Sequence, residues 1–404
     1  SEENLVDIVF TVEEQSTTSL DFGFTFSGVS DPGEIPIALT ARIQDSNIFG
    51  EGKLASVGTT LSTNEQSVSL SYGQSWLFNK PISTNVSLSY SHSNNYALRD
   101  KILPSGDIDN DYYYMQYEQN QFSLGLSLGH RWTPNFAILT LSGGVTSSLI
   151  NNLYDDSLWI PYDTSISQYS DNWEPRNSIW TSFSMDGRNI SWDPSSGWFA
   201  SQRLSWYGLM HEGFLPFAPD WGETEFYLRT DTKAEKYFTL VNKPITDSWA
   251  LKLVLMGYSG LSFQFSALDS TIKKNNQLYI DGMFNGRGWT IYNSDKGRGK
   301  ALWCNSLELR MPVIPGIFSL DLWGDAVAIT DEPYQFFNLK EEDWYFSFGP
   351  SFRFSIQQFP LRLLFANTFK IKDGSPVFTD QDGDGDYNWR KNWNFVLSFS
   401  MTNR

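Results

Sequence analysis

The chain has 404 residues and holds no run of about 18 apolar residues, so a membrane-spanning helix is excluded. A net charge of −17 argues against nucleic acid as a partner, because phosphate contact needs a basic face. Aromatic residues reach 16% against 40% hydrophobic residues, a balance that suits aromatic belts at two membrane interfaces better than the core of a soluble enzyme.

Near the N-terminus, Leu5, Val6, Ile8, Val9, Phe10 and Val12 form an almost unbroken apolar run that ends at Glu13 and Glu14. Such a run suits a strand buried in a small α/β domain. Alone it has nothing to pair with, so residues 1–15 read as the last strand of one domain and 16–404 as another. No signal peptide is visible at Ser1, as expected of the mature or trimmed form of an exported protein.

From Ser19 onward period-two alternation dominates. Leu20, Phe22, Phe24 and Phe26 alternate with Asp21, Gly23 and Thr25, and Val68, Leu70 and Tyr72 with Ser69, Ser71 and Gly73. Phe122, Leu124, Leu126 and Leu128 alternate with Ser123, Gly125, Ser127 and Gly129, and Phe395, Leu397, Phe399 and Met401 with Val396, Ser398 and Ser400. A soluble sandwich would set Lys and Glu on the polar face, whereas here that face is mostly Ser, Gly, Thr and Asn. The pattern predicts an all-β fold, a transmembrane antiparallel barrel of about sixteen strands with lipid outside and a wet lumen within. Short breaks at 47–52, 79–81, 133–135, 193–197, 242–244 and 312–316 alternate with longer polar segments near 93–113, 148–175, 260–300, 330–343 and 371–390. That asymmetry predicts short periplasmic turns, long loops at the cell surface and both termini in the periplasm.

Within the longest polar segment, Arg287 lies between Gly286 and Gly288 and is followed by Trp289. Two readings stand at this point: a solvated arginine in an exposed loop, or a loop tip tucked into the lumen, which would need a waiting carboxylate. Strand parity supplies candidates. With Trp303, Leu307, Leu309 and Met311 facing lipid, Glu308 points inward. With Phe318, Leu320 and Leu322 outward on the next strand, Asp321 and Asp325 point inward. Either aspartate could join Glu308, and Asp325 is favoured slightly.

Other chemistry is sparse. His92, His130 and His211 are scattered, and no GxSxG or phosphate loop is present. Cys304 is the only cysteine, which leaves no internal disulfide and no zinc cluster. Asp380, Asp382 and Asp384 with Gly385 match the start of a calcium loop, yet Lys391 stands where its final glutamate belongs. An acidic solvated loop is the expectation there, with no metal or cofactor.

The order of these features resembles the BamA-type outer-membrane assembly factors. The tip Gly286-Arg287-Gly288-Trp289 is similar to that family's Val-Arg-Gly-Phe motif. The segment 47–52 resembles its Asn-Phe-x-Gly-x-Gly turn, 193–198 its Pro-x-x-Gly-aromatic turn, and 306–309 its Ser-Leu-Glu strand. Residues 6–14 look like the end of the last periplasmic POTRA domain. The resemblance implies that Arg287 is held in the lumen by Glu308 and by Asp325 or Asp321. It implies a non-enzymatic role without cofactor or nucleotide: folding and inserting other β-barrels into the outer membrane. The seam would be weak, between a first strand bearing Leu20, Gly23 and Phe24 and a last strand bearing Phe395, Leu397 and Phe399. Glycine in a strand weakens pairing or accommodates curvature. Implied partners are unfolded outer-membrane proteins, periplasmic accessory lipoproteins and outer-membrane lipid. Alternatives are a related POTRA-barrel secretion pore, a passive porin or a surface adhesin. Two departures stand out: Gly286 replaces the usual valine, and the chain ends at Arg404 without a terminal aromatic.

Overall fold

The computed structural model describes residues 16–26, 37–161, 166–167, 169–170, 173–209, 225–246, 250–266, 271–289, 291, 297–356, 359–379, 390 and 393–399. The expected domain remnant at 1–15 and the acidic segment 380–386 lie outside them. The strands are β1 (Thr18–Phe26), β2 (Ile37–Ile48), β3 (Lys53–Leu61), β4 (Glu65–Gln74), β5 (Ile82–Ile102), β6 (Ile108–Trp132), β7 (Ile138–Leu153), β8 (Trp159–Pro161), β9 (Glu174–Asp186) and β10 (Gly197–Tyr207). They continue as β11 (Tyr227–Pro244), β12 (Ala250–Ser266), β13 (Leu278–Tyr279), β14 (Arg298–Gly299), β15 (Ala301–Ile314), β16 (Phe318–Thr330), β17 (Trp344–Ile356), β18 (Phe359–Lys372), β19 (Ser375–Phe378) and β20 (Trp393–Phe399).

All but β13 and β14 belong to one sheet of 18 strands. Its main series runs antiparallel from β1 through β7, then β9 to β12, β15 to β18, and β20, with β8 laid on β5 and β19 on β18. The two faces separate as the alternation requires. Leu20, Phe22, Val68, Leu70, Leu88, Phe122, Leu124, Leu126, Leu128, Leu307 and Leu322 are exposed on one face. Such rows of large apolar side chains are sustainable against lipid and not against water. The other face carries hydroxyls and glycines on β1 to β7. Ser56 and Ser71 share a hydrogen bond of 2.7 Å, and Ser123 and Ser148 one of 2.8 Å. It carries large and charged side chains on β15 to β18.

Two expectations need correction. The stretch 93–113 is no loop: β5 and β6 run on to Ile102 and from Ile108, leaving only a tight turn. Beyond the apolar band both faces of a hairpin meet water, so the alternation that marks a strand disappears while the ladder continues. The segment 371–390 likewise begins with strand. β18 turns at Asp373 and Gly374, both with positive φ (50° and 73°), into β19, the geometry of a two-residue type I′ hairpin.

Among the described residues, the buried apolar clusters lie in the C-terminal part. Leu278, Ile280, Trp289, Ile291, Leu302, Cys304, Val327, Ile329 and Tyr345 form one cluster. Tyr237, Val254 and Met256 form a second, and Trp323, Leu364 and Ala366 a third. At the ends of the series, β1 pairs with β2 and β20 with β18, and among the described residues no ladder joins β1 to β20.

Candidate functional site

The segment between β12 and β15 enters the space enclosed by the sheet. Its turn is organised by Asp281, whose Oδ1 accepts the backbone N–H groups of Met283 (2.8 Å), Phe284 (2.6 Å) and Asn285 (2.8 Å). Its Oδ2 accepts the Asn285 amide at 3.0 Å. This is the Asx arrangement that lets a short polar side chain stand in for missing ladder partners. Gly286 and Gly288 hold positive φ (66° and 91°), and a Cβ at Gly288 would strike the Ala366 methyl of β18. Glycine is required there by both conformation and space. Trp289 is 1% exposed, stands edge-on to Tyr345 at 5.1 Å and donates its indole N–H to the Phe346 carbonyl at 3.2 Å. That anchor fixes the depth at which the preceding residue sits.

Arg287 is itself 1% exposed. Nε donates to Asp325 Oδ2 at 2.8 Å and Nη2 to Asp325 Oδ1 at 2.6 Å, the bidentate fork that suits a planar guanidinium. Nη1 donates to Glu308 Oε1 at 2.6 Å and Nη2 also to Ser306 Oγ at 2.7 Å. The guanidinium lies 4.1 Å from the centre of the Trp323 ring. Ser306 sits opposite Asp325, and Glu308 opposite Trp323, in the β15–β16 register. The four contacts therefore come from two adjacent strands at neighbouring inward positions.

Asp321 is not a partner of Arg287. It faces Arg310 across the ladder, two inward positions from Asp325, and accepts Arg353 Nε at 2.8 Å and the Ser319 hydroxyl. A strand rises roughly 3.3 Å per residue, so four residues remove Asp321 from the reach of a loop tip seated at Asp325. Three further features complete the site. Glu308 also binds Arg310 (Nε to Oε2, 2.8 Å) and Arg362 of β18 (3.1 and 3.2 Å). Arg353 Nη1 reaches Asp193 Oδ1 at 3.0 Å, tying the turn before β10 to β17 across the enclosed space. Arg310 shares the parity of Glu308 and could have been found. Arg362 and Asp193 depend on how the sheet curves and leave no local signal.

Beside the loop lies a cavity of about 900 Å³ whose walls include Arg203, Lys233, Asp231 and Asn285. At the two ends of the series, Leu20 and Phe395 are exposed on the apolar face. Gly23 lies opposite Thr40, where a Cβ would stand 2.9 Å from Thr40 Oγ1, and its carbonyl accepts that hydroxyl at 3.2 Å. Phe24 pairs with Leu39, Leu397 with Leu363 and Phe399 with Leu361. Among the described residues there is no group of three or more His, Cys, Asp or Glu arranged to hold a metal.

The Omp85 superfamily domain matches residues 47–401. A Treponema pallidum (strain Nichols) protein provisionally named an outer membrane protein assembly factor is 35% identical over the whole of this chain. The chain spans about half that relative's length, 50%. Among solved structures, BamA from Haemophilus ducreyi lacking POTRA domains 1–3 superposes with a TM-score of 0.60 at 15% identity, covering 96% of this chain and 71% of that one. CdiB from Escherichia coli gives 0.56 at 13% identity, covering 96% and 63%. At such identities the two structures speak to the fold, a BamA-like β-barrel.

Proposed function

Because the chain belongs to the Omp85 superfamily, we propose that it is the central barrel of a machine that folds and inserts β-barrel proteins into the outer membrane. The observation that carries this reading is the pair of strand edges, β1 and β20, that meet no ladder partner across the gap among the described residues. An open edge presents backbone N–H and C=O groups in register and templates the addition of another strand. On the β20 side of that gap the wall is clamped by Arg287, Asp325 and Glu308, which gives the yielding seam a rigid reference. Identity of 35% to a protein with an assembly name along the full chain supports assembly over export.

In this reading clients are unfolded outer-membrane proteins, the work is supplied by strand pairing and burial of apolar side chains in lipid, and no cofactor takes part. Residues 1–15 end a POTRA domain on the periplasmic side, where accessory lipoproteins dock. Both termini are periplasmic, and the loops after β5, β7 and β12 face the exterior. Depleting the protein in cells and measuring the outer-membrane content of several unrelated barrels tests the assignment. A general fall is expected. Unchanged barrel content with one exported protein retained inside would replace it with the secretion-pore reading.

A further inference from the structure

The edge that faces β1 is not one strand along its height. Among the described residues, β20 pairs with β18 from Leu361↔Phe399 to Asn367↔Trp393. Beyond that point the same edge of β18 is already taken by its own hairpin, with Phe369↔Phe378, Lys370↔Val377, Ile371↔Pro376 and Lys372↔Ser375. At the junction, Thr379 N–H donates to the Thr368 carbonyl at 3.3 Å and Thr368 Oγ1 to the Thr379 carbonyl at 3.0 Å, and both threonines are fully buried.

The hairpin is fastened on two further sides. Phe378 packs against Phe369 (5.6 Å) and Phe348 (6.4 Å), and Phe348 in turn against Trp393 at the start of β20 (5.8 Å). Lys370 Nζ donates to the Glu342 carbonyl at 2.7 Å, and Gly374 N–H to Glu341 Oε2 at 3.4 Å. These contacts tie its tip to the single helical turn Glu341–Asp343.

The outward side of β19 is a poor template. In an antiparallel ladder, residues point their backbone groups alternately inward and outward. With the Thr379 N–H directed at β18, Val377 and Ser375 also face β18, and Pro376 and Phe378 turn outward. Pro376 has no N–H to offer, the device by which natural sheets blunt an edge.

We infer that strand addition to the C-terminal side of the seam is confined to the seven-residue edge Trp393–Phe399, the half nearer the periplasm, and that the β18–β19 hairpin blocks the outer half. The fitting partner is a short extended segment of a barrel client, alternating apolar and small polar residues to match Phe395 against lipid. The inference rests on the assembly reading above. It adds where along the seam a client is held: a client strand rising past Trp393 leaves the β20 ladder and meets β19 edge-on.

The test uses the full-length protein in native membranes with single cysteines at Asn394→Cys, Val396→Cys, Val377→Cys and, on β1, Leu20→Cys. Unmodified protein, whose Cys304 is buried, is the control. The probe is a stalled barrel client with cysteines stepped along its terminal strand, and heat-modifiable gel mobility establishes that each variant is folded. Disulfide capture at Asn394→Cys and Val396→Cys with background at Val377→Cys is expected. Capture at Val377→Cys equal to that at Val396→Cys overturns the confinement and leaves assembly standing. Capture at Leu20→Cys alone shows that β20 receives no strand and overturns the inference. Capture at none of the four overturns strand addition itself.

Discussion

Glu308 answers three guanidiniums, those of Arg287, Arg310 and Arg362, while Asp325 takes the bidentate fork of Arg287. Replacing Arg287 by alanine leaves Glu308 with two cations but removes the fork that holds the buried Asp325 carboxylate, a loss of about 3–5 kcal/mol. The loop 271–289 should then become protease-sensitive and activity should fall. Arg287→Lys should recover little, since an ammonium cannot make the fork to Asp325. Glu308→Gln is expected to be worse than Arg287→Ala, because it leaves three cations facing one another in a dry site; the thermal midpoints of the two variants check the order. Gly286 invites a different experiment. Restoring the valine usual in BamA-type proteins places a β-branched residue at φ 66° with its Cβ 2.8 Å from Ile280. Strain of that kind costs about 1–3 kcal/mol, so Gly286→Val should lower the melting point. A rise would show that the turn relaxes into the relatives' geometry.

Between strands, the long loop is fastened by Glu225, which precedes β11 and accepts the Lys273 backbone N–H and the Asn276 side-chain amide. Burial pushes its carboxyl above the ordinary glutamate range despite those two donors. A carboxyl whose folded pKa is raised gives its full stabilisation below the unfolded value, about 4.3, and loses it as pH rises through the folded value. Docking of residues 271–280 should therefore loosen as pH rises above about 4.3. Glu225→Gln, which carries no charge to desolvate, should flatten the profile of protease half-life against pH; an unchanged profile would assign the dependence to another group. Elements of this kind were hard to read from sequence. The strands are legible where one face meets lipid and the other water, as in Phe122 to Leu128, and illegible where β5 and β6 rise beyond the membrane and both faces are wet. The inward parity of Glu308 and Asp325 is legible for the same reason. Rejecting Asp321 required the ladder register, and finding Arg362 required the curvature that brings β18 to β15.

Across the whole barrel the two halves are built differently. Among the described residues, the buried apolar clusters lie between Tyr237 and Val396, together with the Glu308 and Asp321 ion pairs. Apart from Asp21, Arg42 and Gln44, the interior of β1 to β4 holds mostly small residues, with contacts such as Ser56 to Ser71 and Thr40 to the Gly23 carbonyl. Local opening follows such differences, since a ladder without packed side chains is held by backbone bonds and lipid alone. The side of the seam that gives way should then be β1 with the strands behind it, while β18 and β20 stay fixed to the clamped wall. Hydrogen exchange of the protein in lipid nanodiscs distinguishes this from a symmetric hinge. Amides of β2 to β4 should exchange faster than those of β15 to β17 by on the order of a hundredfold. Arg287→Ala should narrow that gap by speeding β15 and β16 while leaving β2 to β4 unchanged. Equal protection on the two walls of the unaltered protein would mean that the arginine clamp holds its loop and does nothing to decide which edge of the seam moves.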